Sequence, residues 1–281
     1  MKTTAANNVT VANDVATEKK VKKSKLPRRT NAAILSGGNT KLGKTMGTFS
    51  KLKGDKDYYV PELDVIVKGS CGRFCKGCEK ACYVEKSYVR HTNRETGECS
   101  VILGHAINTL AFYNDIDKAF IDMHEQLNRK RKKFVYVRID QSGELISAYE
   151  YEKWSWLSEQ HPETIFYVYS KAFEYMTDYL LAGNVPENLV TLFSVWHESG
   201  IQEYKAVAHL VNVKAFVYMD KNKDPENGWG LEEYKAHGLD VQTMCAAYDL
   251  KGKMNHDITC DKCKKCMNKL MSCKVIGCWS H

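Results

Sequence analysis

The sequence contains no long hydrophobic run, because no apolar stretch approaches the roughly 20 residues that a membrane-spanning helix needs. A signal peptide, with its charged, apolar and small-residue regions, is also missing from its start. We therefore expect a cytoplasmic protein without membrane contact. Proline is scarce, at five residues, and 18 of the 281 residues are glycine, so the composition excludes a collagen.

The main body also lacks an excess of positive charge, although the whole chain carries a formal charge of +7. Residues 1–30 contribute +6 and residues 251–281 contribute +5, which leaves −4 for the residues between them. Contacts with nucleic acid are therefore expected only at the C-terminal segment or the N-terminal tail. Residues 1–30 have no aromatic residue and no apolar periodicity, so we predict a disordered basic tail.

Short apolar runs alternate with helical periodicity through the middle of the chain, which predicts an α/β fold with parallel strands. The predicted strands are 63–68, 134–139, 164–169, 189–195, 213–219 and 241–244, and the predicted helices are 107–127, 148–160, 173–182, 201–211 and 229–237. Six such units form either a doubly wound sheet or a partial (βα)6 barrel, and we expect the barrel. The predicted domains are the tail at 1–30, the barrel at 31–245 and a small cysteine-rich metal-binding module at 246–281.

Polar residues follow the ends of most predicted strands: Asp140, Ser142-Gly143-Glu144, Lys171 and His197. The loops at the carboxyl ends of the strands build the active site in β/α barrels. We therefore predict a site at this end of the barrel, with Lys171 and His197 as acid–base groups. The alternative is that these two side chains face solvent or bind a loop carbonyl.

The 11 cysteines fall mainly into two clusters. The first cluster consists of Cys71, Cys75, Cys78 and Cys82, and the second consists of Cys260, Cys263, Cys266, Cys273 and Cys278. Cys99 and Cys245 lie between them. Because the total is odd and no export signal is present, the clusters indicate metal or iron–sulfur ligands rather than disulfide bonds.

The spacing Cys71-x3-Cys75-x2-Cys78 after a predicted strand resembles the cluster loop of the radical S-adenosylmethionine superfamily. The resemblance implies a 4Fe-4S cluster on these thiolates, with a fourth iron that binds S-adenosylmethionine. A reductant such as flavodoxin or ferredoxin would supply one electron, which cleaves S-adenosylmethionine to methionine and a 5′-deoxyadenosyl radical that abstracts hydrogen from a substrate. Ser142-Gly143-Glu144 is similar to the family's Gly-Gly-Glu-like element. This implies that Glu144 binds the methionine amino group, with Ser142, Gly143 and Asp140 around the cofactor.

Two features depart from that family. Gly77 stands before the third cysteine, where the family often has an aromatic residue. Cys82 adds a fourth thiol one helical turn beyond Cys78, and if it ligates the fourth iron, S-adenosylmethionine has no place to bind. Zinc is a further alternative, although its usual C-x2-C pairs fit Cys75 and Cys78 better than Cys71 and Cys75.

The second cluster has the C-x2-C-x2-C run Cys260, Cys263 and Cys266, which resembles a ferredoxin ligand pattern. We predict that Cys245 is the fourth ligand of a second 4Fe-4S cluster, with Cys273 as the substitute. The alternative is a zinc knuckle: with seven lysines and Trp279 nearby, this segment could bind single-stranded nucleic acid by charge and stacking.

Residues 38–45 satisfy the phosphate-loop pattern G-x4-G-K-T. The sequence that follows has two glycines and little apolar periodicity, so we expect no helix there and do not favour nucleotide hydrolysis. The chain also has a looser likeness to cysteine-rich bacteriophage proteins, through a Gly-Asn-x-Lys-type opening, Cys82-Tyr83 and the terminal C-x2-C-x2-C run. That likeness implies the host cytoplasm.

The sequence therefore predicts an iron–sulfur enzyme of the radical S-adenosylmethionine type. Its substrate is not evident, and a nucleic-acid base or a nucleotide is a candidate. The competing interpretation is a non-enzymatic, zinc-binding protein that contacts nucleic acid, such as a phage regulator or a replication accessory.

Overall fold

A computed structural model describes residues 33–37, 42–43, 45–75, 82–129, 134–219, 229–247, 255, 257–268 and 272–279. The predicted tail at 1–30, Cys78 and Lys44 lie outside the described residues, and so does the side chain of Cys75. Among the helices that are described, none has both the length and the apolar character needed to cross a membrane.

The described residues form one large sheet and one separate hairpin. The strands are β1 (Ser36–Gly37), β2 (Met46–Thr48), β3 (Asp57–Val60), β4 (Val65–Lys68), β5 (Tyr136–Ile139), β6 (Ile165–Ser170), β7 (Leu189–Val195), β8 (Val213–Met219), β9 (Thr243–Met244) and β10 (Val275–Trp279). The eight-stranded sheet has the order β1-β2-β5-β6-β7-β8-β10-β9. Its pairs are parallel except for β1 with β2, which is antiparallel.

Helices connect most of these strands. They are α1 (Tyr83–His91), α2 (Ser100–Asn114), α3 (Ile116–Asn128), α4 (Ala148–Glu159), α5 (Phe173–Leu181), α6 (Ile201–Val207), α7 (Leu231–Ala236) and α8 (Cys260–Cys263), with a 3-10 turn at Gly72–Cys75. The predicted helix at 107–127 is divided at Asp115, because the carboxylate of Asp115 accepts a hydrogen bond from the Lys118 N–H (2.9 Å) and starts α3.

Along β5 to β8, alternate residues belong to different hydrophobic clusters, so both faces of this part of the sheet are covered. Val137 and Phe166 share a cluster with the apolar sides of α2 to α7. Tyr136 and Tyr167, which point the opposite way, pack with Met267 from the cysteine-rich segment. The strand order follows the chain from β2 to β8 without reversal, and right-handed crossovers then put all of these helices on one face.

The structure corrects the prediction for the first parallel strand. Residues 63–68 contain β4, which pairs with β3 in an antiparallel hairpin outside the main sheet. The first parallel strand is β2, which pairs with β5. A short β-branched run has the same composition in a hairpin as in a buried parallel strand, so the sequence alone did not separate the two. The structure also inserts β10, from the predicted C-terminal module, between β8 and β9.

Candidate functional site

The carboxyl ends of β5, β6 and β7 bring most of the predicted site residues to one edge of the sheet. Asp140 follows β5, Lys171 follows β6, and Trp196 and His197 follow β7. Since neighbouring parallel strands end at the same edge, loops that are far apart in sequence become neighbours there. The sheet topology therefore brings Asp140, Lys171 and His197 to the same edge.

Two of these residues have unusual backbone conformations. Asp140 has φ 46° and His197 has φ 55°, both in the left-handed region that non-glycine residues rarely adopt. Such conformations are retained where the surrounding structure requires a particular side-chain direction, and they concentrate at functional sites. The His197 backbone N–H donates a hydrogen bond to the hydroxyl oxygen of Tyr234 (3.3 Å).

The Ser142-Gly143-Glu144 loop contacts the segment that carries the first cysteine. The Glu144 N–H donates to Ser70 Oγ (3.2 Å), and Ser70 Oγ donates to the carbonyl oxygen of Leu52 (2.8 Å). Gly143 has φ 91°, and a Cβ there would lie 2.5 Å from Ser70 Oγ, so glycine is required by this close approach. Cys71 directly follows Ser70, so the structure brings these two predicted site elements together.

The Cys71 thiol is half-buried, and its sulfur accepts a hydrogen bond from the Gly54 N–H (3.1 Å). A backbone N–H directed at sulfur stabilises a thiolate, the form of cysteine that binds metals. Cys82 has a different environment. It precedes α1 and packs against an apolar cluster that includes Leu52 and Val84.

The Glu144 carboxylate is buried and is hydrogen-bonded within the protein. It accepts hydrogen bonds from Ser170 Oγ (2.6 Å), the Lys171 N–H (2.9 Å) and the Leu145 N–H (2.9 Å). Burial raises the pKa of Glu144, and these hydrogen bonds oppose the rise. Glu144 therefore ties the loop after β5 to the end of β6. A carboxylate offers about four acceptor positions, so about one remains for a ligand.

Behind this loop lies a buried charge network that sequence reasoning missed. The Lys51 ammonium contacts the Glu150 carboxylate at 2.5 Å and Asp140 Oδ2 at 3.2 Å, and all three side chains are buried. Burial, and then repulsion by Glu150 and Glu144, raises the pKa of Asp140 well above its usual value, although Lys51 opposes this. In the sequence, the signal for this network was Lys51 just after a short buried strand. A lysine at such a position is also typical of an exposed loop.

Lys171 and His197 line one cleft of about 490 Å³, together with Phe173, Ser194, Trp196, Glu198, Ser199 and Trp229. The Lys171 ammonium lies 5.2 Å from the centre of the Trp196 ring. Burial lowers the pKa of His197, so its imidazole is neutral at pH 7. The two predicted acid–base residues therefore share a cleft.

The predicted ligands of the second metal centre are neighbours. Burial raises the pKa of Cys266 to about 12, a hydrogen bond with Tyr169 lowers it, and the charges of Cys245, Cys260 and Cys263 raise it. Cys260 and Cys266 pack against the sheet face opposite to the helices. Nevertheless, the described part of the chain contains no group of three or more His, Cys, Asp or Glu side chains arranged to hold a metal ion.

The described part of the phosphate-loop pattern does not lead into a helix, as we expected. Strand β2 begins at Met46, directly after Thr45. The Asp261 carboxylate fills the space beside Gly43, where a Cβ would lie 2.1 Å from it. A carboxylate at this position would repel a phosphate, which is bound by backbone N–H groups and cations.

A family model described as Gene product 88 matches residues 33–269 of this chain. The match covers both cysteine clusters as far as Cys266 and all of the strand-end residues described above. It supports the likeness to bacteriophage proteins. No curated protein and no solved structure matches the chain.

Proposed function

Because this chain belongs to the Gene product 88 family, whose description names no reaction, we propose its function from the site itself. We propose an iron–sulfur enzyme that cleaves S-adenosylmethionine reductively in order to modify a substrate. The observation that carries the proposal is the contact between the Cys71 segment and the Ser142-Gly143-Glu144 loop through Ser70. In this proposal, the Cys71 segment holds the cluster and the Ser142-Gly143-Glu144 loop holds the cofactor.

Cys71, Cys75 and Cys78 would hold a 4Fe-4S cluster, whose remaining iron binds S-adenosylmethionine. The Gly54 N–H at the Cys71 sulfur fits this role, because hydrogen bonds to cluster sulfurs stabilise the reduced state. The apolar surroundings of Cys82 favour an iron that is open to the cofactor. When bound, the cluster supplies one electron, received from a flavodoxin or ferredoxin, that breaks a carbon–sulfur bond of S-adenosylmethionine.

The remaining polar groups of the edge would bind and orient the reactants. Asp140 and Ser142 border the loop, and Glu144 has the acceptor capacity for an amino group. Lys171 and the neutral His197 would move protons to or from the substrate. The order from β2 to β8, which follows the chain, supports the partial-barrel form of the sheet, with β10 inserted after β8. We place this reaction in the cytoplasm of a bacteriophage host.

The second metal centre is part of the same proposal. Cys245, Cys260, Cys263 and Cys266 would hold a second cluster against Tyr169. The support is that Cys245, Cys260 and Cys263 lie near enough to act on the Cys266 thiol, which also has a hydrogen bond with Tyr169. The described side chains are not arranged as a metal site as they stand, so binding would have to draw them together. Lys265 braces the segment, since its ammonium donates to Thr243 Oγ1 at 2.8 Å.

The test compares Cys71→Ala with Cys82→Ala in anaerobically purified full-length protein. We expect Cys71→Ala to lose about four irons per chain and all production of 5′-deoxyadenosine. Cys82→Ala should keep both, because its side chain packs against an apolar cluster. Iron is counted chemically, and 5′-deoxyadenosine is measured by chromatography.

Two results would overturn the proposal. Equal loss of iron in both variants would mean that Cys82 closes the cluster, which leaves no iron for the cofactor. Zinc in place of iron in the unmodified protein would favour the zinc-binding, nucleic-acid-contacting alternative.

A further inference from the structure

The cleft beside β6 and β7 contains polar atoms that the protein does not satisfy. Lys171 Nζ, Trp196 Nε1 and His197 Nε2 are each buried and have no hydrogen-bond partner among the described residues. All three side chains line the cleft. A buried donor without a partner loses the hydrogen bonds that it made with water, and a charged donor loses more. The three atoms belong to residues that line one cleft, and each has almost no accessible surface, so these side chains would have to turn toward a bound group that satisfies them.

The chemistry of these atoms limits the ligand. Lys171 and Trp196 only donate hydrogen bonds, and the neutral His197 imidazole can donate from Nε2. The complementary group is therefore an acceptor with negative charge, such as a phosphate or carboxylate. Glu144 lies behind Lys171 and attracts it electrostatically, yet it leaves the ammonium without a hydrogen bond. The flexible stem of Lys171 allows a rotation that brings the ammonium into the cleft.

The cleft also has an aromatic wall. Trp196 stacks on Tyr218 with the ring centres 4.1 Å apart. Trp229 lines the cleft and packs against His237, with the ring centres 4.3 Å apart. A rigid indole face is a suitable surface for a flat ring. The volume of about 490 Å³ lies within the usual range of small-molecule sites, about 300–1,000 Å³.

We propose that this cleft binds an aromatic oxyanion, with its charged oxygens at Lys171 and Trp196 and its ring against Trp229. This inference rests on the proposed function, because Lys171 and His197 of this cleft act on the substrate there, and it names the class of that substrate. Cys71 is absent from the cleft lining, so binding itself requires no metal. The ring and the oxyanion are the recognised features. The source of the oxyanion, phosphate or carboxylate, is distinguished by the probes below.

Calorimetric titration of the purified full-length protein tests the proposal with adenosine 5′-monophosphate, adenosine and benzoate. We expect adenosine 5′-monophosphate to bind at least about tenfold more tightly than adenosine if the site takes phosphate. If the site takes carboxylate, benzoate binds instead. In either case Lys171→Met should weaken binding of that oxyanion by about tenfold or more.

Two further variants make the titration specific. Trp196→Phe keeps the stacking on Tyr218 but removes the indole N–H, so it should weaken the same oxyanion several-fold without changing adenosine. Lys86→Met removes an exposed lysine from α1 and should change neither affinity. The proposal is overturned if neither oxyanion binds, or if the oxyanion binds unchanged in Lys171→Met and Trp196→Phe. These results stand whether or not the protein contains iron, so they are separate from the test of the proposed function.

Discussion

Lys51 is a lysine whose ammonium lies fully inside the protein, between the carboxylates of Glu150 and Asp140. It also lies 5.0 Å from the centre of the Phe112 ring. The ion pair with Glu150 holds the loop that follows β2 against the start of α4. The Lys51 N–H also donates to the Ser142 carbonyl oxygen (2.8 Å), which ties the same loop to the one after β5. The lysine is thus an internal cation beneath the candidate site.

We predict that Lys51→Met lowers the free energy of unfolding by about 3–5 kcal/mol, since two buried acidic groups lose their counter-charge. Urea denaturation followed by circular dichroism measures the change. Lys86→Met serves as the control, because this exposed lysine should change stability by less than about 0.5 kcal/mol. Equal stability of the two variants would contradict the described ion pairs.

At the scale of elements, α1 and α2 are joined by a hydrogen bond between Tyr88 Oη and His105 Nδ1 (2.8 Å). Burial lowers the pKa of His105 from 6.5 to about 4. The folded protein therefore keeps this imidazole neutral at a pH where the unfolded chain has already bound a proton.

This pKa predicts an acid-sensitive step. His105 stabilises the fold fully above pH 6.5, and that contribution is lost as the pH falls toward about 4, because protons then favour the unfolded chain. The loss should be at most about 3 kcal/mol. Urea denaturation over this range should show a smaller pH dependence for His105→Gln than for the unmodified protein. Identical pH profiles would contradict a buried, neutral His105.

The strands and helices of the structure also show which sequence patterns predicted them correctly and which did not. Strands β7 and β8 have the predicted bounds, because predominantly apolar runs of seven residues have few other interpretations in a chain that alternates strands with helices. The prediction of a parallel strand at residues 63–68 is wrong, because this segment contains β4, which pairs with β3 in an antiparallel hairpin, and a local run does not encode its pairing partner. The division between α2 and α3 depends on one capping carboxylate at Asp115, which an apolar period of three and four residues does not detect.

At the scale of the whole molecule, the sequence predicted an α/β fold and placed Asp140, Lys171 and His197 at one sheet edge. That succeeded because the carboxyl ends of parallel strands converge whatever the loop sequences are. The position of β10 between β8 and β9 could not be predicted, because it depends on a crossover from the far end of the chain. For the same reason, the partnership of Lys51 with Glu150 spans 99 residues and left no local pattern.

The whole-molecule arrangement also relates the two cysteine sets to the sheet. Of the first set, Cys71 lies near the carboxyl edge because it follows Ser70, which contacts the loop after β5. Of the second set, Cys260, Cys266 and Cys273 pack on the sheet face opposite to the helices. Both sets lie within the span that matches the family, up to Cys266. If the proposed function is right, the metal content of the chain follows from these two locations.

The most direct test is anaerobic purification of the full chain with iron, sulfide and zinc counted, followed by electron paramagnetic resonance of the reduced protein with and without S-adenosylmethionine. Our account predicts at least about four irons per chain, with matching sulfide, and a spectrum that S-adenosylmethionine changes. Zinc without iron, or an iron–sulfur spectrum that S-adenosylmethionine leaves unchanged, would contradict it.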